Sequence, residues 1–112
     1  MALLAEDNPT VREVIAAVVS RLGFEVTAVT DGATAQARLF ASPPDLLVVD
    51  IGLPTVSGTL LIRTLKALKW RAKAIAISGS DLETEALAAG ADAFLSKPFV
   101  DGDLERAVRE LF

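Results

Sequence analysis

Histidine and cysteine are both absent from this chain of 112 residues. Their absence removes the commonest general base, the commonest zinc ligand and every thiolate or disulfide site. Any chemistry must therefore rest on oxygens and ammonium groups. Residues of those types stand at the ends of short apolar runs. Glu6-Asp7 follow Ala2–Ala5, Asp50 follows Leu46–Val49, Ser78 follows Ala74–Ile77, and Lys97 closes the segment that begins at Ala93. Taken singly, each has an ordinary explanation as a loop residue, a helix cap or a solvated charge, and Asp7 could simply favour the start of a helix through the dipole. Taken together they are more specific. Three carboxylates and one ammonium leave a formal charge of −2, and such a cluster in a partly desolvated cleft must protonate or recruit a cation. An all-oxygen donor set suits a hard divalent ion, and Mg²⁺ favours one or two carboxylates plus waters and phosphate oxygens. A serine, a lysine and such an ion are also what a phosphoryl group needs around it. The covalent acceptor open to this chain is then a carboxylate, by way of an aspartyl-phosphate.

The elements that must position these groups alternate along the chain. Short apolar runs read as strands, and the longer segments between them carry helical spacing. Val11, Val14, Ile15, Val18 and Leu22 recur at offsets of three and four, as do Leu61, Leu65 and Leu68, and Leu104, Val108 and Leu111. Asn8-Pro9 suits an N-cap with proline in the first turn. Ser80 with Glu83 has the pattern of a capping box, and Gly23 and Gly90 fall where helices should end. The pattern predicts β1 near 2–6, α1 near 9–22, β2 near 24–29, α2 near 31–41, β3 near 45–50, α3 near 58–68, β4 near 73–78, α4 near 81–89, β5 near 92–96 and α5 near 101–111. Five strand–helix units imply an α/β fold: a five-stranded parallel sheet, doubly wound with five helices, in the order 2-1-3-4-5 of flavodoxin-like folds. Ligands of such sheets bind beyond the carboxyl ends of the strands, at the switch point between β1 and β3. That is the rim on which the polar residues fall.

Bulk properties bound the rest. Hydrophobic residues make up 52% and charged residues 23%, a globular balance, and residues 1–112 are expected to form a single domain. The longest apolar run, Val14–Val19, is far short of a membrane span, and no secretory leader is expected, which makes the cytoplasm the default compartment. A net charge of −4 with no basic stripe argues against direct contact with nucleic acid. Trp70, after α3, is expected to be a partly buried loop aromatic.

Four ordered segments resemble the receiver domain of response regulators in two-component, His-Asp phosphorelay signalling. "LLAEDNP" resembles the family's acidic pair after β1, and "DLLVVDIGLPTVSG" its phosphoacceptor strand and following loop. "AIAISGS" resembles its hydroxyl-bearing end of β4, and "GADAFLSKPF" its lysine-proline segment. The resemblance implies that Asp50 accepts a phosphoryl group from a phosphohistidine of a histidine kinase or histidine phosphotransfer protein. It implies that Mg²⁺ is held by Glu6, Asp7, Asp50 and the backbone carbonyl of Gly52. Lys97 would contact phosphoryl oxygens and orient Asp50, across a cis bond to Pro98. Ser78 would hydrogen-bond the phosphoryl group, and Phe94 would be the switch aromatic that turns inward with it. Gly52 and Ser80 would tune phosphoryl lifetime and, being small, would leave water free to attack. The α4–β5–α5 surface would signal to a downstream protein or output domain. The chain would then be a signalling domain that assists its own phosphorylation and dephosphorylation rather than an enzyme. Competing readings are a receiver-like interaction module that is never phosphorylated and an aspartyl-nucleophile phosphatase. Phosphatases of the latter kind need a second aspartate two residues beyond the first, where this chain has Gly52. A flavin carrier would need a hydroxyl- and glycine-rich loop where Glu6-Asp7 stand.

Overall fold

Each segment read as a strand forms one, and each periodic segment forms a helix, in the computed structural model, which describes residues 1–112. The elements are β1 (Ala2–Ala5), α1 (Pro9–Arg21), β2 (Val26–Val29), α2 (Gly32–Ala41), β3 (Leu46–Asp50), α3 (Gly58–Leu68), β4 (Lys73–Ser78), α4 (Glu83–Ala89), β5 (Ala93–Ser96) and α5 (Asp101–Leu111). All strand pairs are parallel, and the order is β2-β1-β3-β4-β5, as expected. Ala5 pairs with Val49, Asp50 with Ile77 and Ser78 with Ser96, so the ends of β1, β3, β4 and β5 lie in step along one edge.

Strand alternation divides the core in two. Leu3, Ala5, Leu47, Val49, Ala74 and Ala76 face one side, against Leu39 of α2, Leu61, Ile62 and Leu65 of α3, and Ala86 of α4. Ala2, Leu4, Leu46, Val48, Ile75 and Ile77 face the other, against Ile15, Val18 and Val19 of α1 and Leu104 and Val108 of α5. Every residue of β1 and β3 is buried. This is why those strands read as unbroken apolar runs rather than as polar–apolar alternations.

The helix ends follow their local chemistry, with one exception. The Asn8 side chain accepts hydrogen bonds from the N–H groups of Thr10 and Val11 at 3.0 and 3.1 Å, and Pro9 opens α1. Gly23 and Gly90 have φ of +100° and +112°, the left-handed conformation that terminates helices and favours glycine. The expected Ser80–Glu83 box does not form. The helix begins at Glu83 after Leu82, without a side-chain cap. Ser80 stays in the loop leaving β4, because its N–H is taken by Ser78 Oγ at 3.0 Å and its carbonyl by the Leu82 N–H at 3.0 Å.

Three side chains differ from expectation. Leu68 has the apolar spacing of α3 but, as the helix's last residue, is 43% exposed. Val14 is not part of the buried stripe of α1. The helix presses Ile15, Val18 and Val19 onto the sheet and leaves Val14 on the open flank, beside Pro98 and Phe99. Trp70 is 72% exposed rather than partly buried, with the Arg71 guanidinium stacked 4.8 Å from its ring centroid. The α3–β4 connection that carries it lies at the end of the sheet opposite the polar rim, where Lys69 pairs with Asp45 and Trp70 is left to solvent. No helix is long and apolar enough to cross a membrane.

Candidate functional site

Only three polar or charged residues of the chain are buried: Glu6, Asp50 and Ser78, at 1%, 9% and 4% exposure. All three lie at the ends of central strands, on the same rim. Charges are seldom buried without a partner, and the partner here is Lys97. Its backbone N–H donates to the Ser78 carbonyl at 2.8 Å, which continues the β4–β5 ladder by one residue. Its side chain then crosses the rim. Lys97 Nζ donates to Asp50 Oδ2 at 3.0 Å and lies 2.7 Å from Glu6 Oε1. The Lys97–Pro98 peptide bond is cis, as the resemblance implied.

Asp50 is fixed from both sides. The Gly52 N–H donates to its Oδ1 at 2.9 Å while Lys97 holds Oδ2. The Ile51 N–H donates to the Ile77 carbonyl at 2.9 Å, so the turn beyond β3 departs from a strand end still bonded to β4. Glu6 is held at Oε2 by the Asn8 N–H at 3.1 Å. Its Oε1 is close to Lys97 Nζ but has no aligned donor, which makes the contact an ion pair without a directed hydrogen bond. Burial raises the Glu6 carboxyl above its ordinary range, outweighing the pull of Lys97 and of the Asn8 amide, and the nearby Asp50 charge adds to the rise. For Lys97, burial works against the ammonium, but the adjacent Glu6 and Asp50 carboxylates outweigh it and raise its pKa.

Asp7 is exposed, and one of its carboxylate oxygens lies within 4.8 Å of one from Glu6 and one from Asp50. Opposite corners of an octahedron with ligands at about 2.1 Å stand roughly 4 Å apart, so a small contraction or one bridging water fits the three donors to a hard cation. The Glu6 oxygen without an aligned donor faces only the Lys97 ammonium and keeps a lone pair that such an ion could share. The expected set Glu6, Asp7, Asp50 and Lys97 is thus brought together. Ser78 lies on the same rim, buried, its Oγ accepting from the Ser80 N–H. Phe94 is half-buried against the core face that α2, α3 and α4 cover.

Two contributors escaped the sequence reading. Arg12, on α1, donates from one guanidinium nitrogen to the backbone carbonyls of Glu6 and Asp7 at 3.0 and 3.4 Å, gripping the acidic turn from beneath. Thr55, in the loop after β3, accepts a hydrogen bond from the Ala33 N–H at 2.9 Å. The only signal for Arg12 was a cation one helical turn past the acidic pair. For Thr55 there was none, because its partner is twenty-two residues away.

Comparison with known proteins agrees with the fold and the family resemblance. The response regulator receiver domain family matches residues 2–109. The response regulator protein PmrA of Pseudomonas aeruginosa is 37% identical over 112 residues, covering 97% of this chain and 51% of PmrA. Among solved structures, the receiver domain of the sensor histidine kinase PA1611 of Pseudomonas aeruginosa, with a magnesium ion coordinated in its active-site cleft, superposes with a TM-score of 0.85 at 32% identity, over 98% of this chain and 94% of that one. A response regulator protein of Burkholderia pseudomallei with a phosphorylated aspartic acid gives a TM-score of 0.83 at 26% identity, over 95% and 64% of the two chains. The chain belongs to the response regulator receiver domain family. It spans about half the length of the curated relatives it matches.

Proposed function

We propose that this receiver domain is a phosphoacceptor switch in which Asp50 takes a phosphoryl group from a phosphohistidine of a histidine kinase or histidine phosphotransfer protein. The observation that carries the reading is the bridge made by Lys97, whose ammonium joins Asp50 to Glu6 within one notch that Asp7 completes. An Asp50 oxygen forms the new bond to phosphorus as the P–N bond breaks, and the departing imidazole keeps the bonding electron pair. Lys97 then finds phosphoryl oxygens where it now finds carboxylates, so the charge that neutralises the ground state also neutralises the reacting group. Mg²⁺ would be held by Glu6, Asp7, Asp50 and the Gly52 carbonyl, and would supply a charge that draws the phosphodonor's oxygens into line. The Gly52 N–H steadies Asp50 throughout.

Ser78 Oγ, now accepting from Ser80, would turn to donate to a phosphoryl oxygen and draw the loop after β4 with it. Phe94, half-buried on the adjoining strand, would follow inward and change the α4–β5–α5 surface that a downstream protein or output domain reads. Relatives named as transcriptional regulators are about twice as long, and contact with nucleic acid is assigned to such an output domain rather than to this one, whose net charge is −4. The role is signalling, with the domain assisting its own phosphorylation and dephosphorylation.

Incubation with acetyl phosphate, with and without Mg²⁺, followed by intact-mass measurement, tests this. One phosphoryl adduct that requires Mg²⁺ and vanishes in Asp50→Asn is expected. An unmodified wild-type protein would favour the interaction module, and sustained turnover of phosphate esters would favour the phosphatase.

A further inference from the structure

The loop after β3 carries the one non-glycine residue with positive φ in the chain, Thr55, at φ +73°. The Val56 N–H donates back to the Pro54 carbonyl at 3.1 Å, so Thr55 is the centre of a three-residue turn of the strained hand. A β-branched residue is among the least suited to that conformation. Strain of this kind persists only where surrounding contacts over-determine it, and here those contacts come from the first turn of α2. The three N–H groups of that turn that lack an intrahelical acceptor are all satisfied, and two of the acceptors belong to the loop after β3. Gly32 donates to the Pro54 carbonyl at 2.9 Å, Ala33 to Thr55 Oγ1 at 2.9 Å and Thr34 to the Asp31 side chain at 2.8 Å, while Ala35 makes the first helical bond, to the Asp31 carbonyl. The approach is tight enough that a Cβ on Gly32 would lie 1.9 Å from the Val56 carbonyl oxygen.

Three residues before Thr55, the same loop places the Gly52 N–H on Asp50 Oδ1. The loop's near end is thus anchored on the proposed phosphoacceptor and its far end is clasped by α2. We infer that Thr55 is a positioning residue for phosphoryl transfer: its hydroxyl locks the loop after β3 to the start of α2 and so holds the Gly52 amide and carbonyl in place beside Asp50. The hydroxyl supplies what the strained backbone needs, an acceptor for Ala33 that a glycine or asparagine chosen for conformation alone would not present in the same way. This inference rests on Asp50 being the phosphoacceptor.

The test uses the whole chain with acetyl phosphate at saturating Mg²⁺, together with amide hydrogen exchange at Gly52. Thr55→Val keeps the shape and removes the hydroxyl, Thr55→Ala removes it with less crowding, and Thr55→Ser keeps it. The labelling rate is expected to fall about fivefold in the Val and Ala variants, the factor set by one hydrogen bond of ordinary worth, with faster exchange at Gly52, while the Ser variant returns both to near wild type. Either hydroxyl-free variant suffices if the other fails to fold. Equal rates and equal Gly52 exchange in all four proteins would overturn the clasp, as would equal loss in Ser and Ala. A wild-type protein that is not labelled at all would instead refute the phosphoacceptor reading.

Discussion

Lys97 Nζ stands 3.0 Å from Asp50 Oδ2 while the same atom is 2.7 Å from Glu6 Oε1, so a single ammonium neutralises carboxylates delivered by two different strands. Removing it leaves Glu6, at 1% exposure, as a buried charge without a counter-ion. In the absence of divalent ions, Lys97→Met is expected to lower stability by about 1–3 kcal/mol, the usual cost of stranding a buried charged group. Mg²⁺ should recover more of that loss than it adds to wild type, because the ion then faces three carboxylates with no competing ammonium. Thermal melts of both proteins with and without Mg²⁺ check this. Labelling by acetyl phosphate should nevertheless fall by about a hundredfold, since the ion does not replace a donor aimed at the transferring oxygens.

The metal itself should appear as a stability increment. A ligand at ten times its dissociation constant stabilises the folded state by ~1.4 kcal/mol, which for a domain of this size raises Tm by roughly 5 °C. Glu6→Gln keeps the shape of the buried side chain and removes its charge, so the Mg²⁺-dependent shift should shrink severalfold. An undiminished shift would place the ion away from Glu6.

Gly52 is exposed, and a Cβ there would meet only Asp50 Oδ1, at 3.6 Å. A side chain is thus admitted sterically at a place from which it could cover the carboxylate. Gly52→Lys should leave the fold and its Tm nearly unchanged and prolong the aspartyl-phosphate by screening it from water. The decay of the phosphorylated mass with time gives the answer, and an unchanged lifetime would show that water reaches Asp50 from another side.

Gly32 makes the opposite prediction. Its missing Cβ is the space occupied by the Val56 carbonyl, and both atoms belong to backbone that cannot step aside cheaply. Gly32→Ala should cost ~3 kcal/mol, the upper end of overpacking. The same change at Gly102, where a Cβ meets nothing within 4 Å, should leave Tm almost unaltered. Parallel denaturation of the two variants tests the closeness of α2 to the loop after β3.

Asp45 governs a pH dependence remote from the site. Lys69 at 2.7 Å, reinforced by the amino terminus at 2.7 Å, holds its carboxyl down at about 2. A folded pKa below the unfolded one means stability that is present above the unfolded value near 4 and is lost as pH falls toward 2. The side chain is half exposed, so solvent screening keeps the contribution under about 1 kcal/mol. Asp45→Asn should therefore be slightly less stable than wild type at pH 5, with the gap closing as pH is lowered. A gap independent of pH would sink the ion-pair account.

Much of this was already legible in the residue order. Unbroken runs such as Leu46–Val49 marked strands covered on both faces, and Asn8-Pro9, Gly23 and Gly90 marked helix ends that the structure reproduces. The failures were local competitions. Ser80 had the spacing of a cap, yet its amide was claimed by Ser78 two residues back. Val14 had the spacing of a core residue, but α1 is tilted onto Ile15, Val18 and Val19. Trp70 had the hydrophobicity to be partly covered, but it is 72% exposed with only the Arg71 guanidinium stacked on its ring.

The amino-acid order alone determined which groups stand at which strand ends, because strand periodicity and parallel winding send those ends to one rim whatever the details. What the tertiary structure decided was how they meet: that Glu6 is sunk and Asp7 exposed, that Lys97 bridges Glu6 to Asp50, that Arg12 grips the acidic turn, and that Thr55 clasps α2. Those contacts join residues far apart in the chain through loops with no period of their own. Ångström-scale hydrogen-bond geometry is settled only once packing has fixed where each loop can go.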